Sequence, residues 1–233
     1  MPNTDVVING SFTANSYTVS YVYSGTEPAG ATDLSVAPYA TVSVPYGTAV
    51  TVAADATAPG YHFVGWNPRQ ENLEITRVDP SDPDSAEQFT MPAYNVTLIG
   101  YFTASVSTPY KVEHYTETMT DGVYELKETE DKFGETGKTV TATPLSFTGF
   151  TFDDTVPGTK LSDTVDQYGN TVLKLYYTRN EYKVVYELDG DIPSGVTAPA
   201  AVTGIKYGEN YTIEDALSVA GYDFLGWYYS SDL

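Results

Sequence analysis

The sequence predicts a mainly β or small α+β protein, in which small sheet-based modules follow one another as an elongated array. Three observations support this class. The 233 residues include 21 Tyr, 9 Phe and 2 Trp, which is ample material for hydrophobic cores. Stretches rich in β-branched and aromatic residues alternate with clusters of Pro and Gly, as short strands alternate with turns. One aromatic motif also recurs at a fixed spacing, which is the signature of tandem repeats.

The repeated motif is Gly-Tyr-x-Phe-x-Gly-Trp, which occupies residues 60–66 and 221–227. In both copies another glycine lies 13 positions before the first glycine of the motif. A weaker middle copy has Gly-Phe-x-Phe and no Trp. We therefore predict three modules, residues 16–107, 108–180 and 181–233. The positions predicted to be structural are Gly60, Tyr61, Phe63, Gly65 and Trp66; Gly149, Phe150 and Phe152; and Gly221, Tyr222, Phe224, Gly226 and Trp227.

The first fifteen residues match the end of the first module. Residues 1–15 align without gaps on residues 91–105, and seven of the fifteen positions are identical. Because residues 91–105 close the first module, we expect residues 1–15 to be the closing strand of a preceding repeat, with Met1 as an internal residue. The third module continues for only six residues after Trp227, so we expect it to be truncated. Both features predict that the chain is part of a longer array.

Strands are predicted along the whole chain, with one short helix. The strand pattern is β-branched and aromatic residues with partial two-residue alternation, and it occurs at residues 17–23, 95–103, 139–143, 171–178 and 182–188. A helix of two or three turns is predicted at 212–221, because Thr212 can cap its first turn and Gly221 can end it.

The aromatic motif has two interpretations. In a strand, Tyr61 and Phe63 point to one face, and Gly65 permits a bulge that re-aims Trp66. Aromatic residues at a spacing set by the fold are usually core residues. The alternative is an aromatic platform that stacks on a sugar ring. The middle copy has no Trp, which argues against a ligand role shared by every copy.

These motifs resemble two related repeat types of Gram-positive surface proteins. The first and last modules resemble the Listeria–Bacteroides repeat, the internalin B-repeat type. The matching features are a Tyr-x-Val-x-Tyr opening, Tyr-Gly before a Thr-rich strand, the Gly-Tyr-x-Phe-x-Gly-Trp motif, and the closing residues 89–93 and 95–98. The middle module resembles the mucin-binding-protein-like repeat through residues 110–115, 137–142 and 171–179.

The resemblance implies tandem β-grasp-like modules of an extracellular adhesin or wall-anchored stalk, without catalysis and without a cofactor. It also implies attachment to the cell wall or cell surface through parts of the parent protein outside this sequence. The chain itself contains no Leu-Pro-x-Thr-Gly sorting motif, so the attachment rests on the resemblance alone.

The composition disfavours several functional classes. With 11 Lys and Arg against 31 Asp and Glu, the net charge of −20 repels nucleic acid and anionic membranes. No apolar run approaches the ~20 residues of a membrane span, so no membrane insertion is expected. The chain has no Cys and no Gly-x-Ser-x-Gly elbow, and its two histidines, His62 and His114, lie in different modules on predicted strands. We therefore predict that the protein is not an enzyme.

No metal site is predicted with any strength. Asp79, Asp82 and Asp84 could present carboxylate oxygens to calcium and are a weak candidate. Their spacing is not that of an EF-hand, and the two prolines beside them explain the segment as a turn-rich loop.

Two functions are compatible with the sequence. The leading hypothesis is a stalk or spacer that also serves adhesion, and the alternative is a module that binds host or environmental glycans or glycoproteins through exposed Tyr. Self-association is also predicted, because residues 5–13 of one molecule match the strand that would complete the 181–233 module of another. The same segment could instead pack within its own chain or remain an unpaired tail.

Overall fold

The computed structural model describes residues 4–229, and these residues form strands and no helix. The strands of this part of the chain are β1 (Ser16–Tyr23), β2 (Val42–Pro45), β3 (Ala49–Thr51), β4 (Tyr61–Pro68), β5 (Thr76–Arg77), β6 (Glu87–Thr90), β7 (Val96–Ala104), β8 (Thr108–Glu117), β9 (Tyr124–Gly134), β10 (Thr139–Thr141), β11 (Phe150–Phe152), β12 (Ser162–Thr164), β13 (Val172–Arg179), β14 (Glu181–Val184) and β15 (Val202–Lys206).

The chain divides into two compact units. The first comprises the chain up to Tyr110 together with Phe133–Thr139 and Thr164–Thr171. The second comprises Lys111–Lys132, Val140–Asp163 and the chain from Val172 onward. No helix in the described residues is long and apolar enough to cross a membrane.

The main sheet of the first unit is mixed, with the strand order β2-β1-β7-β4. Its central strands β1 and β7 run parallel, and the outer strands β2 and β4 pair antiparallel with them. A smaller sheet has the order β3-β6-β5. Parallel strands need a long crossover, and here the crossover from β1 to β7 contains the other strands of the repeat.

The core of the first unit lies on one face of this sheet. Alternate residues of β7 point into it, and Val96 and Leu98 are completely buried. Val19 of β1, Met91 and Trp66 complete its centre, with exposures of 1%, 0% and 5%. Burial of this apolar surface is the main stabilising contribution to such a small sheet.

The sheet that contains the middle copy follows the same plan, with the order β11-β13-β8-β9. Its central strands β8 and β13 are again parallel, and β11 is antiparallel to β13. Val112, Leu173 and Leu175 are completely buried, and Tyr177 is 1% exposed. The shared strand order shows that the middle copy repeats the architecture of the first.

The third copy forms a two-stranded antiparallel sheet, β14 with β15. Strand β14 ends at Val184, whereas its counterpart β1 continues to Tyr23. The last five residues of β1 pair with β7, and within the described residues no strand takes the place of β7 beside β14. The short β14 therefore corresponds to the part of β1 that pairs with β2.

The mainly β prediction is confirmed, and four of the five predicted strands match β1, β7, β10 and β13 closely. The strand predicted at 182–188 forms only in its first half. The helix predicted at 212–221 is wrong, because these residues form no helix. Two hydrogen bonds between this backbone and the side chains of Tyr186 and Trp227 override the local helix signal. Residues 5–13 have no strand assignment within the described chain.

Candidate functional site

The aromatic motif of the first repeat lies on β4 and contains the predicted bulge. The register of β4 against β7 shifts between Phe63 and Gly65, and Gly65 has a φ of 133°, which a side chain would disfavour. The extra residue turns Trp66 to the same face as Phe63, and their rings lie 4.9 Å apart. His62 and Val64 are exposed on the opposite face.

Two hydrogen bonds fix the tryptophan and its tyrosine partner in the core of the first repeat. The Trp66 Nε1–H donates to the carbonyl of Ala54 at 3.0 Å, and the Ala53 N–H donates to Tyr21 Oη at 2.9 Å. The Tyr21 and Trp66 rings contact edge to face at 4.8 Å. Burial raises the pKa of Tyr21, although the hydrogen bond from Ala53 opposes this. The two hydrogen bonds therefore anchor the backbone of residues 53–54, which follow strand β3.

The third repeat reproduces these contacts at the equivalent positions. The Glu214 N–H donates to Tyr186 Oη at 2.9 Å, and the Trp227 Nε1–H donates to the Asp215 carbonyl at 3.3 Å. Tyr186 and Trp227 meet at 4.9 Å, as do Phe224 and Trp227. These bonds fall inside the segment for which a helix was predicted, and they account for its non-helical backbone.

The middle copy builds its aromatic cluster without a tryptophan. Tyr177 contacts Phe152 at 5.7 Å and Phe147 at 4.9 Å, and its Oη accepts the N–H of Leu145 at 2.8 Å. The completely buried His114 is hydrogen-bonded through Nδ1 to the same Oη at 2.8 Å. This histidine is a core residue with polar partners, whereas His62 lies on an exposed strand face.

The motif glycines lie at a joint that the sequence analysis did not identify. In the first unit the N–H of Ser105 donates to the Gly60 carbonyl at 2.9 Å, and the Ser105 carbonyl accepts the N–H of Thr136 at 2.9 Å. In the second unit the N–H of Asn180 donates to the Gly149 carbonyl at 2.9 Å, and the Asn180 carbonyl accepts the N–H of Tyr207 at 2.8 Å. We call this pair of bonds the relay joint.

The relay joint always uses the same three positions. They are the first glycine of the motif, the residue that follows the closing strand, and the residue before the turn glycine of the next repeat. The second of the two bonds also occurs between residue 15 and the first repeat, where the N–H of Tyr46 donates to the Asn15 carbonyl at 2.8 Å. The sequence offered one signal for this joint, namely the glycines repeated at positions 60 and 149.

A polar cluster surrounds the relay joint of the second unit. Glu117 accepts the N–H of Gly122 at 2.9 Å and of Arg179 at 3.0 Å, and Lys206 lies 3.4 Å from its carboxylate. Lys206 also pairs with Asp121. Burial raises the pKa of Glu117, but the two backbone hydrogen bonds and Lys206 outweigh it and lower the pKa below its ordinary value.

The aspartates of the loop at residues 79–84 do not form a metal site. Asp79 accepts hydrogen bonds from the backbone and side chain of Ser81, and Asp82 accepts the N–H of Asp84. These are local turn contacts of exposed residues. In residues 4–229, no group of three or more acidic or histidine side chains has a metal-binding arrangement.

Two clefts of the described residues lie beside the relay joints. One, of about 460 Å³, is lined by Asp121, Glu181, Lys206 and Glu209. The other, of about 350 Å³, is lined by Tyr61, His62 and Tyr168, among others. The carboxyl groups of the described residues whose pKa is clearly shifted all have a lowered pKa, because hydrogen bonds stabilise their charged form: Asp33, Asp79, Glu117, Glu130 and Asp153.

Known repeat families match the two outer copies. Residues 31–106 match the divergent InlB B-repeat domain, and residues 182–233 match the Listeria-Bacteroides repeat domain. Among solved structures, the chain is similar to Streptococcal High Identity Repeats in Tandem (SHIRT) domains 3-4 from a cell surface protein. That similarity covers 70% of this chain and 98% of the other at 13% identity, with a TM-score of 0.23. No curated protein sequence matches the chain significantly.

Proposed function

The chain belongs to the internalin B-type repeat family through its first and third copies, and on this basis we propose that it is a non-catalytic stalk of a bacterial surface protein. In this proposal the repeats extend and display other parts of the parent protein outside the cell. The observation that supports it most directly is the relay joint, which links successive repeats through the same backbone atoms.

A stalk needs joints that resist bending, and the contacts around the relay joint have this character. The ring of Tyr207 packs directly against Gly149, and the Arg179 guanidinium lies 4.7 Å from the Phe150 ring. Arg179 also donates to the carbonyls of Glu117 and Tyr207. Several short bonds in one place limit the rotations that a flexible linker would allow.

Small-angle X-ray scattering tests the proposal, at concentrations where sedimentation shows a monomer. A stalk gives a rod-like distance distribution and a radius of gyration well above the ~17 Å of a compact globule of this length. The variant Gly149→Ala disrupts a relay joint and should add flexibility to the scattering curve. A compact, globular curve for the unmodified chain would contradict the stalk.

A glycan-binding function is the second candidate, and exposed tyrosines favour it. Tyr222, Tyr228 and Tyr229 lie close together in sequence, with exposures of 58%, 77% and 92%. Rigid amphipathic rings of this kind suit contact with sugar faces. Titration of the chain against a glycan panel tests it, with Tyr228→Ser and Tyr229→Ser as variants. Saturable binding that these variants lose would support a lectin-like role. An absence of saturable binding would contradict glycan binding and leave the stalk as the proposed function.

A further inference from the structure

The sequence contains two Asp-Gly pairs, Asp121-Gly122 and Asp189-Gly190. An aspartate that precedes glycine can rearrange, because glycine has no side chain to shield its backbone nitrogen. Both pairs are exposed, and both glycines have a positive φ, 69° at Gly122 and 84° at Gly190. Nothing lies within 4 Å of a Cβ added to either glycine. The two pairs are therefore closely matched in residue type and accessibility.

The pair at Asp189 brings its own reacting groups together. The Gly190 N–H donates to Asp189 Oδ1 at 2.8 Å. The side-chain carboxyl group thus lies against the backbone nitrogen that can close a succinimide ring with it. Groups that already lie in contact react with little rearrangement.

The pair at Asp121 holds the same two groups apart. The Gly122 N–H donates to Glu117 Oε1 at 2.9 Å, and the Asp121 carboxylate pairs with Lys206. The nitrogen and the carboxyl group therefore face different partners. Ring closure at this pair requires both contacts to break, and hydrogen bonds to charged groups are among the stronger ones.

The loop around Asp189 can change without disturbing a strand. The pairing of β14 ends at Val184, and β15 begins at Val202. Residue 189 lies between them and has no strand assignment. Loops of this kind accept changes that the elements they connect do not.

From this contrast we propose that Asp189 is a site of spontaneous isomerisation to isoaspartate in the folded protein, and that the fold protects Asp121. The Gly190 nitrogen forms a bond to Cγ of Asp189 and loses its proton. The bond from Cγ to one carboxyl oxygen breaks, and that oxygen leaves as water. The product of this step is a succinimide ring.

A water molecule then opens the ring at one of its two carbonyl carbons. Addition at Cγ restores aspartate, whereas addition at the main-chain carbonyl carbon gives isoaspartate. In isoaspartate the chain continues through Cβ and Cγ, so the loop is one carbon longer and the net charge is the same. The two steps release one water and consume one, so the mass is unchanged. Isoaspartate at residue 189 therefore accumulates with the age of the molecule.

Incubation of the full chain in mildly acidic buffer, followed by digestion with trypsin, tests the proposal. Trypsin releases residues 184–206 and 112–127, each with one Asp-Gly pair. Chromatography separates the isoaspartate form of each peptide, and electron-transfer fragmentation distinguishes residue 189 from Asp191. Isoaspartate should form at residue 189 roughly tenfold or more faster than at residue 121, because the Gly122 N–H must first leave a charged acceptor.

The matched reference is the same two peptides, synthesised and incubated under the same conditions. Without the fold, the two pairs should react at similar rates, because both glycines are then equally open. A ratio of rates in the folded chain that equals the ratio in the peptides would overturn the proposal. Faster isomerisation at residue 121, or none at residue 189 in the folded chain, would overturn it as well. The proposal does not use the stalk function, so the scattering experiment and this one can fail separately.

The variant Glu117→Ala tests the protection of Asp121 directly. It removes the acceptor of the Gly122 N–H, so isomerisation at residue 121 should rise toward the rate in the peptide. The rate at residue 189 should stay the same, and circular dichroism should show the fold of the unmodified chain. An unchanged rate at residue 121 in the folded variant would contradict the protection. If the variant unfolds, the comparison of the unmodified chain with the two peptides decides.

Discussion

Gly149 packs against the ring of Tyr207 so closely that a Cβ atom at residue 149 would overlap the ring carbons. The same relationship holds in the first unit, where a Cβ on Gly60 would be 2.8 Å from Thr136 Oγ1. In both cases the glycine carbonyl also begins a relay joint. At residues 60 and 149, the first glycine of the motif is therefore required by packing against the next repeat as well as by its turn.

Gly149→Ala should destabilise the second unit by about 2–4 kcal/mol, since it adds a steric overlap to the strain of a positive φ. The matched control is Gly190→Ala. Gly190 has nearly the same φ, 84° against 80°, but nothing within 4 Å of an added Cβ. The control should cost only about 1 kcal/mol. Denaturant unfolding followed by circular dichroism measures both.

The overlap itself is tested by removing the ring. In a Tyr207→Ala background, Gly149→Ala should cost no more than Gly190→Ala does, because only the backbone strain remains. A cost that is unchanged in this background would show that Tyr207 is not the cause.

The sequence was sufficient to predict the parts of the fold that repeat. The β class, the bulge at Gly65 and the core position of Trp66 follow from residue types and spacing, because these contacts lie within one short segment or recur in several copies. The burial of Trp66 also shows that the sugar-platform alternative does not apply to this residue.

Three features could not be predicted, each for a physical reason. Strand β9 is rich in charged residues, as an edge strand facing water can be, and so it has no hydrophobic signal. The segment 212–221 has helix-compatible ends, but tertiary hydrogen bonds decide its conformation, one donated to Tyr186 and one donated by Trp227. The relay joint is formed by backbone N–H and carbonyl groups. Nearly every residue has these groups, so the residue types do not predict the joint.

Gly100→Ala should destabilise the first unit by about 1–3 kcal/mol, because the new methyl group would collide with Trp66 and Phe63. The backbone contributes little, since alanine is tolerated in an extended strand. Gly10→Ala is the matched control, because nothing lies within 4 Å of an added Cβ there. Thermal unfolding should separate the two, with the melting temperature unchanged in Gly10→Ala.

Acid should weaken the relay joint of the second unit through Glu117. Its pKa is lowered in the fold, so its stabilisation is complete above the ordinary unfolded-state value of 4.5 and is lost as the pH falls through the lower folded-state value. Glu117→Gln should reduce the free energy of unfolding at neutral pH by about 1–3 kcal/mol. The difference between the variant and the unmodified chain should shrink as the pH falls, as measured by urea unfolding at a series of pH values.

The control for this pH dependence is Asp131→Asn. Asp131 is largely exposed, and its only contribution to an ion pair in the described residues is a contact of 3.9 Å with Lys111. Exposed pairs of this kind contribute little, so the variant should follow the unmodified chain at every pH. An Asp131→Asn profile that matches Glu117→Gln would contradict the assignment to Glu117.

Removing one hydroxyl group should have the same effect in the first and third repeats. Tyr21 Oη accepts the N–H of Ala53, and Tyr186 Oη accepts the N–H of Glu214, both at 2.9 Å. Phenylalanine at either position leaves an N–H without its partner, at a cost of about 1–3 kcal/mol. Hydrogen exchange with mass spectrometry should show faster exchange at residues 52–54 in Tyr21→Phe and at 213–215 in Tyr186→Phe. Tyr229→Phe, at a position 92% exposed, should change neither segment. Protection that is lost in the first repeat but was never present in the third would contradict a shared role for the two hydroxyl groups.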